Sequence, residues 1–358
     1  MTTDTVGGIW TYSLTLAREL GNYGIRVYLA TMGAPLSTSQ RNEAAAIDNL
    51  ELFESEYRLE WMDDPWEDVG KAGAWLRMIA RRVSPDIVHL NGYSHAALPW
   101  PCPVLIVAHS CVLSWWRAVK GENAPADWDC YRMKVAAGLA TADAVASPSR
   151  AMLQALRFCY GVHFEGTVVP NSTDPALFTP GNKQALIFAA GRLWDEAKNI
   201  PVLDRIAAQL SWPVYIAGEQ QHPSGGQRAL AGGRALGRLA PEEARQWYTR
   251  ASIYALPAKY EPFGLSVLEA ALSGCALVLG DIPSLRENWD GAAIFVDPDD
   301  AALLRSSIEM LIADDELRNR LGERARRRGM HFVPQRMCDG YLSLYRELAG
   351  TRQLNPCA

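Results

Sequence analysis

The chain has 358 residues, of which 49% are apolar, and this is enough for two domains with separate cores. Its net charge of −5 resides in the first half, so neither half has the positive surface that binds nucleic acid or an anionic bilayer. No apolar run reaches the roughly 18 residues of a membrane span, and the first residues do not resemble a signal peptide. Seven cysteines without a Cys-x-x-Cys pair predict reduced thiols, a cytoplasmic protein and no zinc site.

The first half predicts alternating strands and helices. Apolar residues at helical spacing occupy residues 9–23, directly after Gly7 and Gly8. Paired glycines let a ligand approach the backbone at a helix start, although a plain tight turn explains them equally well. Strands are predicted at residues 25–31, 103–108, 144–146 and 166–170, and a further strand with its connection at residues 50–61. Residues 86–90 predict a buried parallel strand. Only three residues precede Asp4, so the first strand expected in such a domain is either a stub or begins upstream of Met1.

The second half continues the alternation after a linker near residue 176. Strands are predicted at residues 186–190, 213–218, 252–257, 276–279 and 292–296. Helices are predicted at residues 242–250, 265–273 and 334–348, with two more between residues 299 and 329. Residues 224–233 are rich in glycine and small side chains, which predicts a mobile loop. The sequence therefore predicts two α/β domains.

The segment EPFGLSVLE at residues 261–269 has the pattern of a turn between a buried strand and a buried helix. The turn leaves backbone N–H groups near Gly264, Leu265 and Ser266 at the positive end of the helix, where a phosphate or a sugar hydroxyl binds well. Glu261 precedes the turn and Glu269 lies within the helix, roughly 8 Å or more away along its axis. The two carboxylates are too far apart to share a proton and suit the two ends of one extended ligand.

This segment resembles the E-x7-E signature of retaining glycosyltransferases with the GT-B fold, in the family-four group that includes sucrose and glycogen-type synthases. The resemblance implies an α/β protein of two Rossmann-like, doubly wound domains that face each other across a cleft. It implies an acceptor-side domain at residues 1–175, a nucleotide-sugar domain at residues 176–333, and a helix at residues 334–358 that crosses back to the first domain. It also implies that Glu261 lies beside the donor sugar hydroxyls and that Glu269 binds the nucleotide ribose.

The same resemblance identifies three more catalytic candidates. Arg192 and Lys198 match the family's pair of cations for the donor diphosphate. An enzyme without a metal must neutralise a departing diphosphate with side chains, for which arginine offers a bidentate fork and lysine a mobile point charge. His109 ends the predicted strand at residues 103–108 and matches the family's histidine beside the donor sugar. A structural histidine at a strand end is the alternative.

Weaker candidates complete the predicted substrate site. The resemblance implies that the backbone near Arg238 and Leu239 contacts the nucleotide base and that Gly7 and Gly8 face the donor phosphates or the acceptor. It implies further contacts from Ser149 and from Asn171, although this chain has a serine where the family has glycine after that asparagine. The Asp-x-Asp pattern at residues 297–299 resembles a metal motif, but its place after a strand favours helix capping. No metal is predicted.

Eight of the twelve tryptophans lie in the first half. Trp115, Trp116 and Trp128 flank a polar segment, and such side chains either fill a core or stack on a sugar acceptor. The residues alone leave both interpretations open.

The predicted reaction is retaining, metal-independent transfer of a hexosyl group from a nucleoside-diphosphate sugar, UDP- or GDP-linked, to an acceptor hydroxyl of a small molecule or glycan. By resemblance, the donor's own phosphate oxygen takes the acceptor proton, and no cofactor is needed. A catalytically silent nucleotide-sugar-binding protein and an epimerase on the same fold are the alternatives. The sequence leaves open the base, the sugar, the acceptor and whether the chain forms a homodimer.

Overall fold

A computed structural model describes residues 1–5, 7–220 and 229–354, without the side chains of residues 351–354. The chain divides into two compact units. The first contains Met1–Arg117, Glu122–Asn171 and the helix Pro334–Leu354, and the second contains Ala118–Gly121 and Ser172–Val333. Of the loop predicted at residues 224–233, residues 224–228 lie outside the described residues. The assignment of acceptor and donor roles to residues 1–175 and 176–333 stays a prediction.

The first unit is built from parallel strands joined by helices. Its strands are β1 (Thr2–Asp4), β2 (Val27–Met32), β3 (Leu50–Phe53), β4 (Val88–Leu90), β5 (Val104–Val107), β6 (Ala144–Ser147) and β7 (Gly166–Val168). Its helices are α1 (Gly8–Gly21), α2 (Thr38–Ala45), α3 (Trp66–Val83), α4 (Val112–Lys120), α5 (Asp129–Thr141) and α6 (Arg150–Tyr160). The strands form two parallel ladders, β1-β2-β3 and β4-β5-β6-β7.

β1 is only three residues long, yet Thr2, Thr3 and Asp4 are all buried. It pairs with β2 in parallel register. Asn91, directly after β4, connects β1 to the other ladder: its backbone N–H donates to Thr2 Oγ1 at 2.9 Å, and its side-chain Nδ2 donates to the Thr2 carbonyl at 2.7 Å. Side-chain and backbone bonds of Asn91 therefore join the two ladders at the point where β1 is short.

The second unit holds one six-stranded parallel sheet in the order β10-β9-β8-β11-β12-β13. Its strands are β8 (Gln184–Ala190), β9 (Val214–Ala217), β10 (Arg234–Gly237), β11 (Ala251–Leu256), β12 (Ala276–Gly280) and β13 (Ala293–Val296). Its helices are α7 (Ile200–Ala207), α8 (Pro241–Arg250), α9 (Leu265–Leu272), α10 (Pro283–Trp289), α11 (Ala301–Ala313) and α12 (Asp315–Gly329). The last helix, α13 (Pro334–Leu354), packs against α1 in the first unit.

Helices cover both faces of the second sheet, as expected for a doubly wound fold. α8 and α9 contribute to the apolar core on one face, and α7 and α11 contribute to the core on the other. β11 and β12 lie between the two cores with all their residues buried, which explains their continuous apolar sequences. The predicted architecture, two Rossmann-like α/β domains with parallel sheets, is confirmed.

Local structure differs from the sequence-based expectations at three places. The sequence pattern after β8 predicts a helix start at Lys198, but this residue ends a single 3₁₀ turn and α7 begins at Ile200. The helix cap expected at residues 297–299 is wrong in position, because the side chain of Asp300 caps α11 by accepting from Leu303 N at 2.8 Å. Helix α2 was not predicted, since it carries no apolar stripe; a capping box between Ser37 and Gln40 stabilises its start instead.

Candidate active site

The loop after β8 is held in place by Asn199. This asparagine adopts the left-handed conformation, with φ of 53°, between the 3₁₀ turn and α7. Its Nδ2 donates to the carbonyl oxygens of Pro257 at 3.0 Å and Pro298 at 2.6 Å. One buried side chain thus fixes the loop against the end of β11 and the turn after β13, where the carboxyl ends of parallel strands meet. Gly191, at the start of the loop, leaves room for Lys198, because a Cβ at Gly191 would lie 3.1 Å from Lys198 Cγ.

Lys198 and Glu261 form an ion pair at this edge of the sheet. Lys198 Nζ donates to Glu261 Oε2 at 2.5 Å, and the side chains are only 18% and 13% exposed. The other carboxylate oxygen of Glu261 accepts from Gly264 N at 2.9 Å. Glu261 therefore connects a cation to the start of α9, and its low exposure limits the screening of this pair by solvent.

The start of α9 depends on the backbone of Gly264. Gly264 has φ of 90°, a left-handed value, and a Cβ there would approach Val267 Cγ2 to 3.0 Å. The prediction of available amides needs one correction, since Gly264 N–H is bonded to Glu261. Leu265 and Ser266 form the first turn of the helix, whose amides point out of its positive end. The Ser266 hydroxyl lies 2.8 Å from the Tyr254 hydroxyl.

Arg192 is oriented by two neighbours in the same loop. Its Nη2 donates to Asp195 Oδ2 at 2.7 Å, and its guanidinium lies 4.9 Å from the centroid of the Trp194 ring. Asp195 Oδ1 accepts from Ala197 N at 3.1 Å and caps the 3₁₀ turn. Burial alone would raise the pKa of Asp195, but the charges of Arg192 and Lys198 hold it below its ordinary value. Asp195 therefore remains ionised and keeps Arg192 in place.

Glu269 lies within α9, partly buried beneath α8. Burial raises the pKa of Glu269 to about 7, against the opposing effects of a hydrogen bond with Tyr248 and of the nearby charge of Arg245. The carboxyl therefore changes between its protonated and ionised forms within the physiological pH range. Further along the same unit, Arg238 is exposed just after β10, and Leu239 packs against the core.

A second, uncharged cluster lies in the first unit at the ends of β4 and β5. Asn91 Nδ2 faces the Thr2 carbonyl, which can only accept, so its Oδ1 faces His109 Nε2 at 3.0 Å. His109 must then carry its proton on Nε2, which leaves Nδ1 as a hydrogen-bond acceptor. The His109 ring meets the Tyr12 ring edge-on, with centroids 4.5 Å apart. Burial lowers the pKa of His109 to about 3, so the ring is neutral.

Asn91 was missed at the level of sequence, although it follows directly after a predicted strand whose carboxyl end faces the ligand edge in open α/β sheets. Its contacts to Thr2 and His109 span 89 and 18 residues of sequence. A polar residue directly after a buried strand was the available signal.

The remaining candidates of the first unit differ in how much of their polar surface is already used. Gly7 adopts φ of 91° before α1, and both Gly7 and Gly8 are exposed. Ser149 is buried, and its hydroxyl accepts from Met152 N at 3.2 Å as the cap of α6. Asn171 is buried too, and within the described chain its Oδ1 has no hydrogen-bond partner. Gly7, Gly8 and Asn171 therefore retain groups for a ligand, whereas Ser149 mainly stabilises a helix.

The part of the chain that the structure describes contains no cluster of three or more His, Cys, Asp or Glu side chains arranged to hold a metal ion. None of its helices combines the length and apolar character that crossing a bilayer requires.

The chain is similar to known proteins over most of its length. The family models Glycosyltransferase Family 4 and Glycosyl transferases group 1 match residues 6–177 and 178–328. D-inositol 3-phosphate glycosyltransferase of Corynebacterium efficiens is 26% identical, over 95% of this chain and 90% of that protein. Glycogen synthase of Mycobacterium tuberculosis is 30% identical, over 46% of this chain and 44% of that protein.

Solved structures share the fold. Sucrose-phosphate synthase from Thermosynechococcus elongatus gives a TM-score of 0.81 at 18% identity, over 98% of this chain and 95% of that chain. Anabaena HepE, in complex with UDP and glucose, gives 0.75 at 14% identity, over 97% of this chain and 100% of that one. The fold is that of the GT-B glycosyltransferases. The two family models together cover most of the chain, which belongs to the glycosyltransferases that they describe.

Proposed function

We propose that the chain is a retaining, metal-independent hexosyltransferase that uses a nucleoside-diphosphate sugar and an acceptor hydroxyl. The observation that carries the proposal is the continuous contact of Lys198, Glu261 and the start of α9 at the carboxyl edge of the second sheet. A cation, an oriented carboxylate and a positive helix end together suit a ligand with phosphates at one end and hydroxyls at the other. HepE, similar in fold, is described with UDP-glucose bound.

The proposed roles of Arg192 and Lys198 are to stabilise the departing diphosphate. An ammonium carries three N–H groups, so Lys198 can donate to Glu261 and to a phosphate oxygen at the same time. Arg192 engages Asp195 through one nitrogen, which leaves the other N–H groups of its fork for phosphate. We propose that the diphosphate oxygen stabilised in this way takes the proton of the acceptor hydroxyl, with retention at the anomeric carbon.

The proposed hydroxyl contacts divide between carboxylates and a neutral ring. Glu261 accepts from the donor sugar, and Glu269, in its ionised form, accepts from the ribose. The amides of Leu265 and Ser266 add donors at the positive end of α9. His109 is proposed to accept a hydrogen bond from a sugar hydroxyl at Nδ1, which its bond to Asn91 leaves unprotonated.

Base and acceptor contacts are assigned more coarsely. We propose that the backbone at Arg238 and Leu239 contacts the nucleotide base. Gly7, Gly8 and Asn171 are proposed to contact the acceptor or the donor phosphates, and Ser149 to act through the start of α6. The relatives named as glycogen synthase and D-inositol 3-phosphate glycosyltransferase support a glycan or a small polyol as the acceptor. The reaction is proposed to take place in the cytoplasm, with a UDP- or GDP-linked donor.

The test measures thermal unfolding with UDP, GDP, ADP and their sugar derivatives, for the wild type and for Glu269→Ala. A ligand at ~100 times its Kd stabilises a protein by about 2.7 kcal/mol. We expect one nucleotide to raise the Tm of the wild type and to raise that of the variant much less. A wild-type Tm that no nucleotide changes would overturn the proposal.

The nucleotide that binds is then tested for turnover with its sugar attached. NMR of the product distinguishes retention from inversion at the anomeric carbon. Binding without any turnover, across glycan and polyol acceptors, would favour a silent binding protein. Turnover that is independent of acceptor and changes only the sugar's stereochemistry would favour an epimerase.

A further inference from the structure

A cavity of about 250 Å³ lies at the amino edge of the six-stranded sheet in the second unit. Lys183 lines it directly before β8, Ser252 at the start of β11, and Asn319 from α12. The strands of this sheet run parallel, so their amino edge lies opposite to their carboxyl edge. The cavity is therefore separate from the candidate active site, which occupies the carboxyl edge.

Lys183 differs from its counterparts in how its charge is paired. The three other lysines of the second unit each pair with a carboxylate: Lys120, Lys198 and Lys259. Lys183 Nζ instead donates to the carbonyl oxygen of Tyr248 at 3.2 Å and to Cys275 Sγ at 3.6 Å. An ammonium has three N–H groups, so these two contacts leave one N–H for a ligand.

The sulfur next to Lys183 does not supply the missing negative charge. Burial raises the pKa of Cys275, so its thiol keeps the proton at neutral pH. The thiol donates to the carbonyl oxygens of Tyr248 at 3.3 Å and Ala251 at 3.2 Å. Burial also lowers the pKa of Lys183, because its ammonium loses water without gaining a full negative charge in return. An anion in the cavity would provide that charge.

A second cation lines the cavity from α12. Arg318 is only 13% exposed, and its guanidinium lies 4.9 Å from the centroid of the Trp212 ring. Its Nη1 donates to the Leu311 carbonyl oxygen at 2.8 Å, and its Nη2 donates to Asp315 Oδ1 at 2.5 Å. These contacts fix the guanidinium in place. Asp315 is 78% exposed, so solvent screens its charge, and the cavity lining keeps an excess of positive charge.

We propose that this cavity binds a small metabolite through one oxyanion, which is either a phosphate ester or a carboxylate. Lys183 offers a point charge with one N–H, and Arg318 offers a charge that is already held in position. The cavity is smaller than the roughly 300–1,000 Å³ of pockets for drug-sized ligands, so the ligand carries few atoms beyond its oxyanion. The side-chain amide of Asn319 adds a polar group of the lining for those atoms.

The first experiment measures thermal unfolding of the full chain in sodium sulfate and in sodium chloride of equal ionic strength. Sulfate stabilises proteins generally, and this effect is common to all variants, whereas specific binding adds a rise in Tm that depends on its Kd. We expect Lys183→Met to weaken sulfate binding at least tenfold, as for loss of a hydrogen bond from a charged group. Methionine fills similar space without a charge to desolvate, so the variant should fold.

Lys259→Met is the matched control for this variant. Lys259 is also a partly buried lysine of the second unit, but it pairs with Asp299 at 2.5 Å. Its replacement should leave the affinity for sulfate unchanged. Equal loss of sulfate affinity in the two lysine variants would overturn the proposal, since any lysine would then serve.

Variants of Asn319 change the charge of the lining and keep Lys183 intact. Asn319 is exposed on α12, so its replacement leaves the core in place. Asn319→Glu should weaken sulfate binding several-fold, and Asn319→Lys should strengthen it several-fold, because the two variants add opposite charges. If the wild type and both variants bind sulfate equally, the cavity is not the site.

A crystal structure with selenate, located by its anomalous scattering, separates this site from the proposed donor site. We expect a selenate oxygen within hydrogen-bonding distance of Lys183 Nζ in the wild type and in Lys198→Ala alike. An empty cavity at saturating selenate, or selenate beside Lys198 alone, would overturn the proposal. This result does not depend on the proposed function, because it requires no nucleotide and no turnover.

Two further probes identify the oxyanion. Inorganic phosphate and acetate are compared by the same thermal unfolding assay, in the wild type and in Lys183→Met. Tighter binding of phosphate that depends on Lys183 assigns the site to phosphate esters, and tighter binding of acetate assigns it to carboxylates. Failure of both probes to raise the Tm of the wild type above that of Lys183→Met would overturn the proposal.

Discussion

Two sheets differ in the chemistry at their carboxyl edges: the β4-β5-β6-β7 ladder of the first unit (the first sheet) and the six-stranded sheet of the second unit (the second sheet). At the second sheet, Lys198 and Glu261 form a charged pair at 2.5 Å. At the first sheet, Asn91 and His109 form a neutral pair at 3.0 Å, and burial keeps the histidine uncharged. Charged groups stabilise a transition state in which charge develops, whereas neutral hydrogen bonds mainly orient a ligand. Under the proposed function, the second unit would therefore support bond cleavage and the first would position a hydroxyl.

This comparison predicts the largest loss of activity for Lys198→Ala. Removal of the ammonium eliminates a cation next to the proposed leaving group and leaves the Glu261 carboxylate, only 13% exposed, without its partner. We expect kcat to fall by roughly 10²–10³, as for loss of one electrostatic donor at a developing charge, with a smaller change in KM. Initial-rate kinetics with the nucleotide sugar that binds would measure both constants.

Lys259→Ala is the matched control for this prediction. Lys259 also pairs with a carboxylate, Asp299, at 2.5 Å and is 23% exposed, but it has no place in the proposed site. Its replacement should leave kcat within a factor of about three, since partly exposed ion pairs contribute little. Equal losses in the two variants would mean that Lys198 acts only through the fold.

The neutral pair predicts a smaller and non-additive loss. His109→Ala and Asn91→Ala should each lower kcat/KM by roughly tenfold, the value of one hydrogen bond to the ligand. Because Asn91 is a positioning residue that acts through the ring, the double variant should be no worse than His109→Ala alone. Kinetics of the four proteins gives the coupling energy directly. Additive losses would instead assign Asn91 an independent role, such as joining β1 to β4.

The positions of the charged groups could be predicted from sequence because each group lies in a local pattern, whereas the contact of Lys198 with Glu261, 63 residues away, could not. A buried strand, a turn with glycine and a buried helix predict the placement of Glu261 and the start of α9 within one segment. Arg192 and Lys198 likewise lie in one loop after β8. The extent of α9 agrees with the structure to one residue.

The contact of Asn91 with His109 could not be predicted either, because it joins the ends of two different strands, 18 residues apart in sequence. Asn91 is oriented by Thr2, 89 residues away, and Asn199 fixes the loop of Lys198 through carbonyls 58 and 99 residues away. No local pattern specifies such partners. The pKa of Glu269 is a product of tertiary packing for the same reason, since burial raises it and the hydrogen bond with Tyr248 opposes that rise. Local sequence thus indicates which groups are present and at which edge, and packing determines their charge and direction.

The pH dependence of nucleotide binding tests the role of Glu269, because this residue of the second unit has a pKa near neutrality. Its pKa is raised to about 7, so the carboxyl is largely protonated at pH 6 and ionised at pH 8. The ionised carboxylate can accept hydrogen bonds from the ribose hydroxyls through both oxygens, whereas the protonated carboxyl donates through one of them. We therefore expect nucleotide affinity to rise roughly threefold to tenfold from pH 6 to pH 8 in the wild type.

Glu269→Gln is the control for that pH dependence. The nucleotide phosphate titrates in the same way with both proteins. The affinity of the variant, measured by calorimetry at each pH, therefore shows the effect of the phosphate without that of Glu269. The variant should also gain stability relative to the wild type as pH rises from 4.5 to 7, because the folded wild type binds more protons than its unfolded chain in that window. If nucleotide affinity changes with pH in the same way for both proteins, titration of Glu269 is excluded as the cause.

The smallest predicted effect concerns Asp195, which orients Arg192. Its folded pKa is depressed despite its burial, so its contribution to stability is present above the unfolded value near 4 and is lost as pH falls through the folded pKa. Asp195→Asn should lower the free energy of unfolding by about 1 kcal/mol at pH 7, because Arg192 is partly exposed, and by much less at pH 3. Urea unfolding at both pH values measures the difference.

Asp281→Asn distinguishes the effect of burial from that of pairing. The Asp281 carboxylate also pairs with an arginine, Arg286, and its pKa is also lowered, but both partners are well exposed. Solvent screens such a pair, so its loss should change stability less than that of Asp195 at neutral pH. If the two variants lose equal stability, then burial of Asp195 adds nothing, and the rigid placement of Arg192 must come from its stacking on Trp194 at 4.9 Å instead.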